Sequence, residues 1–484
     1  MTYREAEQYL NGLPRFTAKH SLADTQRCLD ALGAPDRRMR ILHVAGTNGK
    51  GSVCCYLSSI LRCAGYRTAL FTSPHLVSTR ERMAVDGEWI PEDEFVRKLE
   101  QVRAAVQGIG EELPTYFEFL FLMAMLWFAE QGAEIAVLET GLGGRLDATN
   151  AVRKKELAVI TRIGLDHMQY LGNTVAAIAG EKAGILRPAV PAVCLAEPEE
   201  ARAAIAGRAE ELSAPLFSLR KEDWQGRSLP DRRIDFSFCY RYDLRCSGGK
   251  LPCPEESPAS PGQALRAPAL SAVLPTAALY QAENAALAVC AALLLMKRED
   301  SAAGSAAGLL PAVSREAIRA GLMCAHWPAR MDEVLPGVFI DGGHNEDGIR
   351  AFLESAAAIP LSSGGERRLL FSAVRDKQYE SMARRIAVSG LFRKIVLVPL
   401  ESERGISGEE LRAAAATMRA APGNGEAPEL SVESAANQAF FGLIRSRSAA
   451  DQVYAAGSLY LAGELLEGLS RAGLLTGEKQ NDQF

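Results

Sequence analysis

Ile41-Leu42-His43-Val44-Ala45-Gly46-Thr47-Asn48-Gly49-Lys50-Gly51-Ser52, followed by Val53-Cys54-Cys55-Tyr56-Leu57, is the stretch that decides the reading of this chain. It predicts a buried strand, a glycine-rich turn and then a helix. Glycines let the backbone approach phosphate oxygens and aim N–H groups at them. The helix N-terminus adds a partial positive charge, and Lys50 adds a full one. Ser52 is placed to reach a magnesium ion. Asn48, Gly49, Lys50, Gly51 and Ser52 are therefore the expected ATP-binding run. The spacing departs from G-x-x-x-x-G-K-[ST]: Gly46 is close before Gly49, and Gly51 separates Lys50 from Ser52.

Working outward, the first 200 residues alternate short apolar runs with helical stretches. Strands are expected at 41–45, 67–72, 134–139, 157–162 and 190–195, and helices at 52–64, 92–107, 116–131 and 174–184. This is the pattern of an α/β domain, a mostly parallel sheet covered by helices. Such sheets bind ligands at the carboxyl ends of their strands. Those ends read Thr72-Ser73-Pro74-His75, Glu139-Thr-Gly-Leu-Gly-Gly-Arg145 and Gly164-Leu-Asp-His167. Together with the glycine turn they could line one crevice around a triphosphate and its Mg²⁺.

The length of 484 residues calls for two or three domains. The net charge of −5 argues against a general binder of nucleic acid or of anionic membranes. The basic clusters Arg37-Arg-Met-Arg40 and Arg153-Lys-Lys155 read as solvated surface. The apolar runs at 119–129 and 285–296 are too short to span a bilayer. The N-terminus lacks an apolar signal region. Ten cysteines with no C-x-x-C pair suit reduced thiols in a cytoplasm. Ile234–Tyr240 alternates with period two, Pro252–Gly262 reads as an exposed loop, a helix is expected at 280–296, and an alanine/glycine-rich break at Ser301–Gly308. A second α/β unit begins near Trp327, with strands at 337–341, 368–373, 394–399 and 451–457. The expected division is an ATP-binding domain at 1–324, with a small β subdomain inserted at about 220–275, and a Rossmann-like α/β domain at 325–484.

A series of motifs runs in order along the chain. His43–Ser52 is followed by Tyr66–Leu76, Thr115-Tyr-Phe-Glu118, Glu139–Asn150, Ile163–His167 with Leu171–Thr174, and Ile178-Ala-Gly-Glu-Lys-Ala-Gly-Ile185. Then come Gln281-Ala-Glu-Asn284, Trp327-Pro-Ala-Arg330, Asp341-Gly-Gly-His-Asn345, Asp376-Lys377 and Gly457–Leu461. This set resembles the Mur ligase superfamily and, within it, the folylpolyglutamate synthase/dihydrofolate synthase family.

The resemblance implies an ATP-dependent ligase. A folate or dihydropteroate carboxylate is phosphorylated to an acyl phosphate, and the amino group of L-glutamate displaces the phosphate. It implies ATP and two Mg²⁺ ions as cofactors, and a monomer. It assigns Ser73, Glu139 and His167 as metal ligands. Lys50, Lys182 and His344 become catalytic residues, with Lys182 carbamylated so that a cation becomes an anion. Asn284, Arg330 and Asp341 join the ATP site, closing over the nucleotide. Arg27, Phe117, Glu118, Arg145 and Asp147 fall on the pterin side. The chain departs from the family at Ala329, where glycine is usual, at Gly343, where alanine is common, and at Asp24-Thr-Gln-Arg27, where the family often has Gly-Leu-x-Arg and the glycine is missing. Two other readings are open at this point: another Mur-type ligase acting on a cell-wall precursor, or a nucleotide-dependent binding module without ligase chemistry.

Overall fold

The computed structural model describes residues 1–14, 21–110, 114–239, 270–302, 313–375, 378–400, 405–420 and 427–475, with side chains for all of these except 296–302. Asp376, Lys377 and the proline-rich run lie outside the described residues, as does most of the break expected at 301–308. The chain falls into two compact units. One comprises 1–225, 236–272 and 282–325; the other comprises 226–235, 273–281 and the chain from His326 onward.

The first unit is built on an eight-stranded sheet. Its strands are β1 (Arg40–Ala45), β2 (Thr68–Phe71), β3 (Met83–Val85), β4 (Glu88–Trp89), β5 (Ile135–Glu139), β6 (Leu157–Ile160), β7 (Ala192–Leu195) and β8 (Leu216–Leu219). The order is β4-β3-β2-β5-β1-β6-β7-β8. β1 lies between β5 and β6 and is parallel to both. Chain order reverses across β1, so the loops leaving β1, β5 and β6 flank a switch point of the sheet, where open α/β sheets bind ligands. Strands β3 and β4, which form an antiparallel ribbon with β2, and strand β8 were not expected from sequence. They are two to four residues long, too short for period-two alternation to register.

Alternate side chains of the central strands point to opposite faces. One face buries Ile41, Ala69, Phe71, Ala136 and Leu138 against the helix Tyr116–Glu130, whose Phe119, Leu120 and Met123 are fully buried. Further along the sheet, the same face buries Ala45, Ala158, Ile160 and Cys194 against the helices Val175–Ala183 and Glu199–Glu211. Each fully buried Leu, Ile or Phe contributes about 1.5–3 kcal/mol of hydrophobic stabilisation.

A three-stranded sheet follows, ordered β11-β10-β9, from β9 (Trp224–Ser228), β10 (Ile234–Phe238) and β11 (Leu270–Leu274). The alternating burial of β10 is the period-two pattern read at 234–240, and β11 alternates in the same way. The helix expected at 280–296 runs over Gln281–Ala302.

The second unit has a six-stranded sheet ordered β12-β13-β17-β14-β15-β16. The strands are β12 (Asp332–Leu335), β13 (Val338–Ile340), β14 (Arg367–Phe371), β15 (Lys394–Leu397), β16 (Glu429–Val432) and β17 (Gln452–Ala456). Only the β12–β13 pair is antiparallel. Phe339, Leu369, Phe371, Ile395 and Tyr454 meet the helices Glu346–Ala358, Tyr379–Ser389 and Gly408–Ala420 in its core. Tyr454 stacks on Phe339 with ring centroids 5.0 Å apart.

The basic run at 153–155 is solvated surface only at Lys154. Arg153 pairs with Asp30 and Asp36, and Lys155 is buried. Its ammonium donates to Asn150 Oδ1 at 2.6 Å and to the Ile185 carbonyl at 2.9 Å. Burial, reinforced by Arg187, pushes its pKa well below the usual lysine range. A charged cluster in sequence says nothing of whether carbonyls await it in the fold.

Candidate active site

The turn after β1 is held by hydrogen bonds to the end of β6. Thr47 N–H and Asn48 N–H both donate to the Arg162 carbonyl, at 2.9 and 3.2 Å. Thr161 Oγ1 donates to the Asn48 carbonyl at 2.7 Å. Thr47 Oγ1 donates to the Gly164 carbonyl and accepts from the Gly164 N–H, at 3.1 and 3.2 Å. Each such bond contributes about 1 kcal/mol, and together they fix a turn that would otherwise sample many shapes.

Two glycines of the turn have no substitute. A Cβ at Gly46 would fall 1.8 Å from Thr161 Oγ1. Gly49 has φ +88°, and a Cβ there would fall 2.2 Å from Asn284 Oδ1. Gly49 is the N-cap of the helix Lys50–Cys63. The first helical bond runs from Val53 N–H to Gly49 O at 2.9 Å, so the amides of Lys50, Gly51 and Ser52 precede it. Val53, Leu57, Ile60 and Leu61 form the buried stripe that seats this helix. Lys50 Nζ donates to the Thr47 carbonyl at 3.2 Å, across the turn it serves.

Asn284 is thus brought onto the glycine turn by the helix Gln281–Ala302, whose Glu283 pairs with Arg162 through both carboxylate oxygens. Lys182 also reaches the turn. It is buried near the end of the helix Val175–Ala183 and donates to the Gly46 carbonyl at 2.7 Å.

Glu139 closes β5 and is 3% exposed. The backbone N–H of Ser73 donates to its Oε2 at 2.9 Å. The nearby Cys54 thiol is raised well above its ordinary range by burial first and then by the Glu139 charge, while Lys50 opposes the shift. One thiol on the turn's helix therefore feels the charges of both Glu139 and Lys50. A buried carboxylate oxygen beside a serine suits a hard cation such as Mg²⁺. Among the described residues no group of three or more His, Cys, Asp or Glu has metal-holding geometry. The expected ligand set holds only two residues of those types, Glu139 and His167, so it falls outside that description. His167 adopts a left-handed backbone, φ +49°, at the start of the helix Met168–Leu171, and its N–H donates to Asp166 Oδ1 at 2.8 Å. Strained backbone of this kind collects at functional sites.

The residues expected on the pterin side divide sharply. Phe117 is half-buried, packs on Phe71 at 5.6 Å and leaves no room for a side chain at Gly141. Glu118 completes a capping box: Thr115 N–H and Oγ1 donate to its Oε2 at 2.7 and 2.8 Å. Asp147 is buried and braces its own loop. Its Oδ2 accepts from Gly141 and Leu142 N–H, and its Oδ1 accepts from Thr149. Burial raises its pKa even so. Arg145 forks onto Glu181 Oε1 at 2.9 and 3.2 Å with its side chain 57% exposed. Arg27 is paired with Asp24 at a helix surface.

In the second unit Asp341 is buried at the end of β13. It accepts from Tyr280 Oη at 2.6 Å, from Met331 N–H at 2.9 Å and from Gly343 N–H at 2.7 Å. Burial pushes its pKa up, opposed by the Tyr280 hydrogen bond and the charge of Arg330. Arg330 Nη1 donates to the Ala329 carbonyl at 2.8 Å. The backbone is left-handed on both sides of Arg330, with φ +54° at Ala329 and +50° at Met331. The departure noted at 329 is therefore an alanine held where glycine would be unstrained. A Cβ at Gly343 would lie 2.8 Å from Asp341 Oδ1, so the second departure leaves room for this carboxylate. His344 Nδ1 lies 2.9 Å from the Gly342 carbonyl, and Asn345 caps the helix Glu346–Ala358.

Residues 44–241 match the Mur ligase middle domain. The chain is 34% identical over 397 residues to the dihydrofolate synthase/folylpolyglutamate synthase of Bacillus subtilis, covering 79% of this chain and 82% of that protein. The chain belongs to the folylpolyglutamate synthase/dihydrofolate synthase family. Solved members superpose over nearly the whole length. E. coli FolC in complex with DHPP and ADP is 28% identical with a TM-score of 0.76, over 98% of this chain and 99% of that one. The Yersinia pestis bifunctional enzyme complexed with AMPPNP and Mn ion is 27% identical with a TM-score of 0.74, over 97% and 98%.

Within this family frame, sequence reasoning missed the support beneath the named residues. Asn150 Nδ2 donates to the carbonyls of Arg145 and Gly184, while its Oδ1 accepts from Lys155 and Arg187. This buried network ties the 140–150 loop to the end of the helix that carries Lys182. His43 is also buried, with Nε2 2.8 Å from Thr149 Oγ1. The Thr115-x-x-Glu118 spacing was the one legible signal, since it is the capping-box pattern.

Proposed function

We propose that this chain carries out both steps that its family's name joins, adding glutamate to dihydropteroate and extending folates. It is an ATP-dependent ligase. The carboxylate of the acceptor attacks the γ-phosphorus of ATP, ADP leaves, and an acyl phosphate forms. The amino group of glutamate then attacks the acyl carbon, loses a proton, and expels phosphate as the amide forms. A carboxylate anion is a poor acceptor for an amine, and phosphorylation supplies the leaving group. The protein's task is positioning and neutralisation of charge.

The observation that carries this reading is the turn at 46–52, braced by Thr47, Thr161 and Asn284, with Lys50 at its mouth. In the proposal Lys50 and the amides of Gly49, Gly51 and Ser52 hold the ATP phosphates, and Asn48, whose own N–H is given to the Arg162 carbonyl, acts there through its side chain. Ser73, Glu139 and His167 would hold Mg²⁺, which neutralises phosphate charge when bound. Lys182, already on the Gly46 carbonyl, carries a carbamate whose carboxylate faces that site. Phe117 and Arg145 sit toward the acceptor. Glu118 and Asp147 act there through the helix cap and the loop they brace. Arg330 and Asp341 add to nucleotide affinity, and His344 acts near glutamate. Glutamate as the amine, a monomeric state and a cytoplasmic setting belong to the same proposal. Among the described residues no helix is long and apolar enough to cross a membrane.

The bifunctional reading draws on the Bacillus subtilis relative, which bears both names, and on FolC in complex with DHPP. Purified protein with ATP, Mg²⁺ and L-glutamate should release ADP and form an amide with dihydropteroate and with tetrahydrofolate. Turnover of one acceptor alone would reduce the proposal to a single step. ADP release without amide would favour a binding module. Electron density for a carboxylate on Lys182 Nζ in crystals grown with bicarbonate is the expected outcome, and a bare amine there would remove the carbamate.

A further inference from the structure

The helix that begins with Lys50 has a second contact far from the phosphate turn. Gly321, on the helix Arg315–Cys324, packs against Ile60 so closely that a Cβ at 321 would fall 2.4 Å from Ile60 Cα and 2.6 Å from its N. The two backbones touch with no side chain between them. Three residues further along each helix stand Cys63 and Cys324. Residues three apart share a helix face, so both cysteines continue this contact. Both thiols are free and exposed, and they hydrogen-bond to each other. Each is the last residue of its helix, so the two helices converge at their C-terminal ends. Cys28, Cys54, Cys194 and Cys290 are buried.

We propose that Cys63 and Cys324 form a modification site, a dithiol that closes reversibly into a disulfide between the phosphate-turn helix and the helix Arg315–Cys324. The oxidant is a peroxide. One thiol, as its thiolate, takes the distal oxygen and becomes a sulfenic acid while the second oxygen leaves as water after gaining a proton. The neighbouring sulfur attacks that sulfenic sulfur and the hydroxyl departs as water. Two thiols and one hydrogen peroxide thus give one disulfide and two waters. Oxidised glutathione reaches the same product by two exchanges, releasing two reduced glutathiones. A dithiol reductant reverses either route. Burial and the Cys324 sulfur hold the Cys63 thiol above its ordinary range, with Arg62 opposing, so near neutral pH Cys63 rests as the thiol rather than as a preformed thiolate.

The bond would join segments distant in sequence, and cross-links that close long loops restrict the unfolded chain most. It would also anchor the end of the first unit, because Cys324 directly precedes Ala325, where that unit stops. The full-length protein is treated with hydrogen peroxide or oxidised glutathione, blocked with iodoacetamide and digested without reductant. The expected product is one peptide pair joined through Cys63 and Cys324, released by dithiothreitol. The thermal midpoint should rise by a few degrees and fall back on reduction. Cys63→Ser and Cys324→Ser should each abolish both the cross-link and the shift, and Cys55→Ser should abolish neither. Recovery of both cysteines as separate carbamidomethyl, glutathionyl or sulfinic species after oxidation would overturn the proposal.

Discussion

The turn after β1 and the turn before β12 both place backbone in the left-handed region, but with different residues. At Gly49 the position is glycine and a methyl group would strike Asn284. At Ala329 and Met331 the positions carry side chains, and both are buried. The first turn keeps its backbone bare, so amides can face a ligand. The second accepts strain of about 1–2 kcal/mol per left-handed residue and offsets it with Asp341, which accepts from the Met331 amide. Bare backbone marks where a ligand approaches the main chain. Strained backbone marks where a side chain, here Arg330, is aimed by its neighbours.

The largest effect should come from the charge at the first turn. Lys50→Ala is expected to lower kcat by at least about 10³-fold, or about 4 kcal/mol of transition-state stabilisation, with an unchanged melting curve. Near-normal turnover would separate the turn from the chemistry. Gly49→Ala adds left-handed strain and a clash, and should cost about 2–4 kcal/mol in ATP affinity or stability, read by calorimetry and denaturant titration. Asp341→Asn is the matching attack on the second turn. It replaces one of two accepting oxygens by an amide, so a cost of about 1–3 kcal/mol is expected in denaturant titration. An unchanged midpoint would remove Asp341 as the brace.

The strand feeding the first turn carries a pH signature. Burial, then Lys155 and Arg187, hold His43 well below its ordinary value of 6.5. As pH falls through that value the unfolded chain gains a proton that the folded chain refuses. Stability should therefore drop below about pH 6.5, by up to about 1.4 kcal/mol per pH unit, and His43→Asn should flatten that slope. The smallest effect is expected for Ala329→Gly. Relief of about 1–2 kcal/mol of strain is opposed by about 0.8 kcal/mol of lost methyl burial and about 0.5–1 kcal/mol of added chain entropy. The net change in stability should stay under about 1 kcal/mol. A loss above 2 kcal/mol would show that the alanine is held by packing rather than tolerated.

The glycine turn, its strand and its helix were legible because each relies on local chemistry: an apolar run, residues without a side chain, and a helical stripe. Ser73, Glu139 and His167 were legible as strand ends. The second role of Glu118 was written in its spacing from Thr115. Nothing local announced that Asp147 would spend both oxygens on its own loop, or that Lys155 would be buried under Asn150 and Ile185. Those outcomes depend on which carbonyls and amides tertiary packing brings within 3 Å. The short strands β3, β4 and β8 were missed because their pairing partners, not their own residues, make them strands.

β10 and β11 are neighbours in the small sheet, yet the chain between them runs from 239 to 269. Both ends of that stretch leave from adjacent strands, so the small sheet holds them side by side. For any flexible connection between fixed ends, doubling the length costs only about 0.6 kcal/mol. The fold is therefore nearly indifferent to how much polypeptide is spliced in there. That makes 239–269 a place where lineages can lengthen or trim the chain freely, and where a fluorescent reporter or affinity tag could be inserted without taxing the phosphate turn.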